Sequence, residues 1–268
     1  MNRRPAVAGQ FYSGTSSGLR RQVASYVEDV RDKVDAKAVV APHAGFVCSG
    51  PVAGKVYSRI SADYATYVIL GPNHSGIGPP VSVSDRGSWA MPMGDVPIDS
   101  ELARSIIARS SIASPDRSAH RQEHSLEVQL PFIQFFNSSF SIVPICIGLR
   151  SCEDALQLGT ELADVVSASG KRVLIVASTD MSHYIPHDVA VKRDRLAIDK
   201  VLELDAPGLY DVVRRNAISM CGVMPTVTAV AAANELGARS ATLISYMTSG
   251  DTCGDKSQVV GYAGIVIT

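Results

Sequence analysis

The sequence predicts a single α/β domain spanning residues 1–268, with a mostly parallel central sheet flanked by helices. Two observations carry that expectation. Short runs rich in β-branched residues, bounded by Gly and Pro, read as buried strands, and they alternate along the chain with stretches of helical spacing. No internal repeat, low-complexity segment or long linker divides the 268 residues, a length that suits one large core.

The elements follow in order. Residues 38–42 form the first strand, 51–60 a helix and 66–71 the second strand. Residues 81–98 alternate and carry Pro and Gly, which suggests a small hairpin. A helix is predicted over 99–109, with Asp99 or Ser100 as its cap. Another runs over 124–136, where Pro131 must kink or restart it. Strand 140–147, helix 153–168 and strand 172–178 come next. Helices at 188–204 and 206–216 are divided by Asp205-Ala206-Pro207-Gly208. A helix at about 225–236 has Pro225 in its first turn. Strands at 241–247 and 259–267, candidates for antiparallel edge additions, close the sheet. The polar, Gly-rich segment 248–257 between them reads as a turn.

Composition excludes several classes. Hydrophobic residues make up 46% of the chain and charged residues 19%, with a formal net charge of -1 and no run of five like charges. Neither nucleic acid nor an anionic membrane surface is expected as a partner. No apolar stretch approaches the roughly 20 residues of a membrane span. The amino end, Met1-Asn2-Arg3-Arg4-Pro5, lacks an apolar signal-peptide core, so the expected location is cytoplasmic. The five cysteines are an odd number without a Cys-x-x-Cys pair, which disfavours a disulfide framework or a structural zinc knot. Each is expected to be a buried or partly buried thiol, with Cys146 in the core.

Three apolar runs each stop at a histidine: His43 in Pro42-His43-Ala44-Gly45, His74 in Gly71-Pro72-Asn73-His74-Ser75-Gly76, and His183 in Ser178-Thr179-Asp180-Met181-Ser182-His183. In open α/β sheets ligands sit beyond the carboxyl ends of the strands, so three such ends can bring imidazoles to one pocket. His43 alone is equally compatible with a histidine capping a nearby carbonyl. His74 lies in a polar, Gly-punctuated loop of the kind that carries function. Asp180 is spaced to orient His183, which suits a general base or a metal-linked relay; an Asp capping the next helix is the alternative. His124 opens a predicted helix that Ser125 could cap, and by spacing alone a capping role suits it equally; near a helix amino end its imidazole stays neutral. Cys221 lies just before a helix start, where a thiol's pKa falls and it becomes a better ligand or nucleophile. A buried small hydrophobe is the other reading. His120 is expected to be solvated and His187 to sit at the surface. No phosphate-binding Gly-rich loop, zinc-protease motif or Gly-x-Ser-x-Gly elbow occurs.

Taken together, these motifs resemble the MEMO (mediator of ErbB-driven cell motility) family, whose fold is similar to the LigB-type class III extradiol dioxygenases. The resemblance covers nearly the whole chain. It runs from Arg4-Pro5-Ala6-Val7-Ala8-Gly9-Gln10-Phe11-Tyr12 through the His43 and His74 motifs and Glu123-His124-Ser125-Leu126-Glu127. It continues to the Asp180 to His183 segment, Cys221-Gly222 and Ser249-Gly250-Asp251. The resemblance implies that His43, His74 and Cys221 are metal-site positions and that Asp180, His183 and His124 line the same pocket. LigB-type enzymes hold iron(II) with two histidines and a carboxylate; a cysteine in the third position is a softer ligand and shifts preference towards copper, zinc or a different iron chemistry. It also exposes the thiol to oxidation.

Three functional expectations follow. The first is a metal-binding, dioxygenase-like protein carrying iron(II) or copper on His43, His74 and Cys221, with His183 as base oriented by Asp180 and His124 as a further polar contact, acting on a small molecule. The second is a binding protein without turnover, since animal relatives are associated with phosphotyrosine peptides and signalling; no arginine cluster accompanies the motifs in the sequence, which disfavours a phosphate ligand. The third is thiol hydrolysis with Cys221 as nucleophile, His183 as base and Asp180 as orienter. Fusion of relatives to radical-SAM and AMMECR-type domains implies a functional link to such proteins.

Overall fold

The computed structural model describes residues 2–268, apart from the side chain of Cys253. The chain opens with β1 (Asn2–Arg3) and α1 (Ser16–Ala24), followed by β2 (Ala38–Ala41), α2 (Phe46–Arg59) and β3 (Thr66–Pro72). Then come β4 (Val81–Val83), β5 (Ser88–Trp89), β6 (Val96–Pro97), α3 (Ser100–Arg109) and β7 (Ala113–Pro115). A 3-10 turn (Glu127–Gln129) leads into α4 (Leu130–Phe136), β8 (Ser141–Ile147), α5 (Cys152–Ser169) and β9 (Val173–Ser178). The carboxyl-terminal part holds β10 (His183–Ile185), α6 (His187–Leu202), α7 (Ala206–Arg215), α8 (Val223–Glu235), β11 (Ala241–Thr248), α9 (Ser249–Cys253) and β12 (Val259–Ile267).

The main sheet runs in the order β10-β12-β2-β9-β3-β8-β4-β7, with β11 on the outer edge of β12. Its four central strands, β2, β9, β3 and β8, are parallel. Both flanks add antiparallel pairing, β12 on β2 and β4 on β8, so the sheet is mixed. All seven residues of β3 are buried, the pattern of a strand covered on both faces. One group of helices, α5, α7 and α8, packs together with α8 against β3 and β9; α2 lies against β11 and β12 and contacts α4. No helix among the described residues is long and apolar enough to cross a membrane.

Several helix ends follow the chemistry read from the sequence. The Asp99 carboxylate accepts from Leu102 N–H at 3.0 Å and starts α3. Pro131 falls in the first turn of α4, where its missing N–H costs nothing, and the 3-10 turn before it is the restart that proline imposes. Residues 241–247 and 259–267 pair antiparallel, as expected of edge additions.

Other elements differ. α2 begins at Phe46, five residues before the expected start at Pro51. Cys48 and Ser49 N–H groups donate to the Gly45 carbonyl, and the Ser49 hydroxyl bonds the Ala44 carbonyl at 2.7 Å, so the first turn forms ahead of the proline. Gly54 in this helix packs on backbone: a Cβ there would lie 2.3 Å from the Tyr26 carbonyl oxygen. The proposed hairpin over 81–98 divides. Val81–Val83 joins the main sheet beside β8, and only Ser88–Trp89 and Val96–Pro97 pair as a hairpin, in a separate sheet with β1. Segment 248–257 is not wholly a turn, because Thr248 and Asp251 close a capping box over the short α9. Helix α1 escaped the sequence reading because only Leu19 and Val23, four apart, are buried on it. Cys146 is fully buried as expected and Cys48, Cys152 and Cys221 are partly buried; the expectation for Cys253 lies outside the described atoms.

Candidate metal and proton-transfer site

Parallel register delivers the site. Ala41 pairs with Ser178 and Leu70 with Ala177, so β2, β9 and β3 end level. Two residues beyond β2 and β9 stand His43 and Asp180, and the His43 N–H donates to Asp180 Oδ1 at 2.8 Å. The loop after β3 brings His74 to the same end. From the segment before the 3-10 turn comes His124. One ring nitrogen of each of His43, His74 and His124 lies within 4.8 Å of the others. The His74 and His124 rings are stacked, with centroids 4.9 Å apart and planes at 14°, and His43 meets both edge-on at 5.3 and 5.5 Å.

Hydrogen bonds fix which nitrogens are available. Ser178 Oγ donates to the Ser125 carbonyl at 2.6 Å and accepts from Gln129 Nε2 at 2.9 Å. Its remaining lone pair meets His43 Nδ1 at 3.0 Å, so Nδ1 carries the proton and Nε2 keeps its lone pair. The Cys221 thiol reaches that Nε2 at 3.2 Å. His74 is oriented by a carboxylate: Glu123, itself buried, accepts from His74 Nδ1 at 2.9 Å, from the His74 N–H at 2.8 Å and from the Ser125 N–H at 2.9 Å. This turns His74 Nε2 towards the cluster and raises its basicity.

Electrostatics keep most of the site neutral. Burial, reinforced by His124 and His74, pushes His43 well below the ordinary imidazole range. Burial also lowers His124. On His74 burial acts downwards, yet its hydrogen bond and charge interaction with Glu123 prevail and raise it. Glu123 shows the reverse balance: burial alone would raise it, but the His74 ring and the amides of Ser125 and His74 bring it down to about 2. Burial raises Asp180 against the lowering effect of its His43 amide bond.

Each expected site residue is placed by this geometry. His43, His74 and His124 form the cluster, so His124, expected as a further polar contact in the pocket, stands among the possible ligands. Ser125 does not cap a helix here; its hydroxyl meets the Pro72 carbonyl at 3.4 Å. Cys221 touches His43 and lies beside the cluster, held by the Asp180 N–H, which donates to Sγ at 3.3 Å. Its thiol is pushed up to about 12 by burial and by the Asp180 charge, opposite to the lowering expected of a helix start. An unassisted thiolate nucleophile at neutral pH is disfavoured accordingly. Asp180 accepts from the His43 backbone and has no bond to His183. The His183 ring is held instead by the Ser219 carbonyl, 2.8 Å from Nδ1, so Nδ1 carries a proton and donates there. His120 is buried, with Nε2 on the Ser82 carbonyl at 3.1 Å and Nδ1 against Cys146 Sγ at 3.4 Å, so it is not solvated. His187 opens α6 and bonds Thr248 Oγ1 at 2.9 Å.

Glu123, Ser178, Gln129 and Ser219 were missed by sequence reasoning. For Glu123 one signal was present, an acid next to a histidine in a polar segment; its partner His74 is 49 positions away.

A profile of the family described as Memo-like protein matches residues 3–266. A MEMO1 family protein of Methanopyrus kandleri is 42% identical, over 99% of both chains. Another, from Methanosarcina acetivorans, is 44% identical over 99% of this chain and 98% of its own. Among solved structures, an uncharacterised protein of Escherichia coli K12 superposes with a TM-score of 0.58 at 13% identity, covering 84% of this chain and 98% of that one; this likeness concerns the fold alone.

Proposed function

The chain belongs to the Memo-like protein family, and from that premise we propose that it is a metal-binding protein whose centre is His43, His74 and His124. One observation carries the reading: three imidazole nitrogens from three separate segments lie within 4.8 Å of one another. Donors on one tetrahedral ion with bonds of about 2.1 Å stand roughly 3.4 Å apart, so the three rings, no more than 4.8 Å apart at these nitrogens, draw in to bind it. The donor set fits an ion. His43 presents an unprotonated Nε2, His74 has its other nitrogen anchored on a carboxylate, and burial holds His43 and His124 neutral.

Iron(II) or copper is the ion we assign, because imidazole donors with a thiol alongside suit these borderline metals. Bound there, such an ion would supply open positions for dioxygen and a small-molecule substrate, as in dioxygenase-like redox chemistry. The chain's own residues then hold and move protons. His183 Nε2 accepts a proton from a substrate hydroxyl while Nδ1 stays bonded to Ser219. Asp180, raised by burial, fixes the His43 backbone and shares the local charge. Cys221 remains a protonated thiol against His43, held there by the burial that raises it.

The test is anaerobic purification followed by metal analysis by mass spectrometry. Wild type should hold close to one equivalent of iron or copper, and His43→Ala should lose it. Metal at background in wild type and variant alike removes the proposal.

A further inference from the structure

A cavity of about 620 Å³ lies beside the segment that carries His124, away from the imidazole cluster. Its wall includes Arg3 at the end of β1 and Arg4 just after it, Arg86 from the β4–β5 connection, and Arg117 and Arg121 from the segment after β7. None of the residues lining it is Asp or Glu. The sequence shows no arginine cluster; the fold builds one from three stretches of a chain whose net charge is only -1.

The arginines are partly pre-set. Arg3 lies over Trp89, 4.1 Å from the ring centroid, and is balanced by Glu127 at 2.6 Å. Arg117 donates to the Arg86 carbonyl at 3.1 Å, which fixes one guanidinium against the other's backbone. The nearest carboxylate to Arg86 is Asp85, 3.9 Å from its Nε. Asp116 is occupied by the Ser118 hydroxyl and the Ala119 N–H. Like charges gathered around one cavity repel, and an anion relieves that repulsion.

We propose that this cavity binds a phosphorylated small molecule. Guanidinium forks match phosphoryl oxygens and, unlike a planar carboxylate that a single fork satisfies, a tetrahedral phosphoryl group accepts from several directions at once. The volume lies in the range of small-molecule sites and exceeds what a bare phosphate fills. The proposal is independent of the metal reading, since none of His43, His74 and His124 lines this cavity.

The experiment is isothermal titration of the full chain with inorganic pyrophosphate at low salt, with citrate as a polycarboxylate comparison. Wild type should bind pyrophosphate saturably, more tightly than citrate, and more weakly as salt rises. Arg4→Gln and Arg121→Gln, made singly and checked for folding by circular dichroism, should each weaken binding about tenfold. Arg215→Gln on α7 and His74→Ala should leave it unchanged. Absence of saturable binding, unchanged affinity in both folded cavity variants, tighter binding of citrate, or loss on His74→Ala would each overturn the proposal.

Discussion

Replacing Glu123 by Gln isolates what the carboxylate does for His74. The side chain is buried, and its two oxygens accept three N–H groups: His74 Nδ1 and Ser125 N on Oε1, His74 N on Oε2. Gln has the same shape but one acceptor oxygen. Keeping that oxygen towards His74 Nδ1 and Ser125 sets an NH2 group against the His74 N–H, leaving a buried donor unpartnered at about 1–3 kcal/mol. For a chain of this size that lowers the thermal midpoint by roughly 5 °C. Loss of the charge also removes what raises His74, so the ring becomes a weaker base and is less firmly aimed. Outer partners of metal-bound histidines are worth about 10- to 100-fold in affinity. Competition against a chromophoric chelator should therefore show iron or copper bound at least tenfold more weakly to Glu123→Gln, with the fold retained by circular dichroism. An affinity within about threefold of wild type, alongside the thermal shift, would mean that Glu123 supports the loop only, and the orienting argument fails.

Three other outcomes are expected. His120, brought down to about 4 mainly by burial, has a folded pKa below its unfolded one; the unfolded chain then takes up the proton first, and stability falls as pH drops from about 6.5 to 4, by on the order of 3 kcal/mol. Chemical unfolding across that window should show the loss, and a His120→Gln variant that keeps the same acid slope would contradict it. Glu127→Gln breaks a buried pair with Arg3 that also takes the Ala6 and Val7 amides and the Tyr12 hydroxyl, so about 3–5 kcal/mol should disappear from urea unfolding, with faster proteolysis of the amino-terminal strand. In Gly222→Ala the new Cβ would lie 2.5 Å from the Ser178 carbonyl and from Thr179 Cβ, costing about 1–3 kcal/mol and moving Cys221 away from His43; an unchanged melting temperature and unchanged Cys221 alkylation would refute that packing.

Legibility in the sequence divides along physical lines. The central strands were readable because burial on both faces writes a continuous apolar run, as in Val173–Ser178, and because Gly and Pro mark where such runs stop. Their ends then named His43, His74 and Asp180, since ligands gather beyond parallel strand termini. Helix α3 was readable through Asp99 and α4 through Pro131. Harder to read were Val81–Val83, too short to declare its sheet, and the five residues of α2 ahead of Pro51, whose start depends on contacts with Ala44 and Gly45.

By itself the sequence determined the run of buried strands, the turns that end them and the residue types standing at those ends, because periodicity and turn chemistry are local. Tertiary structure alone decided that His124 joins His43 and His74, that Glu123 rather than any neighbour in the chain orients His74, and that Ser219 rather than Asp180 holds His183. It also decided that arginines from three stretches meet around one cavity. The physical reason is common to these cases. Ring orientation, protonation and charge clustering depend on partners tens of positions away, and only strand register and loop packing set those separations.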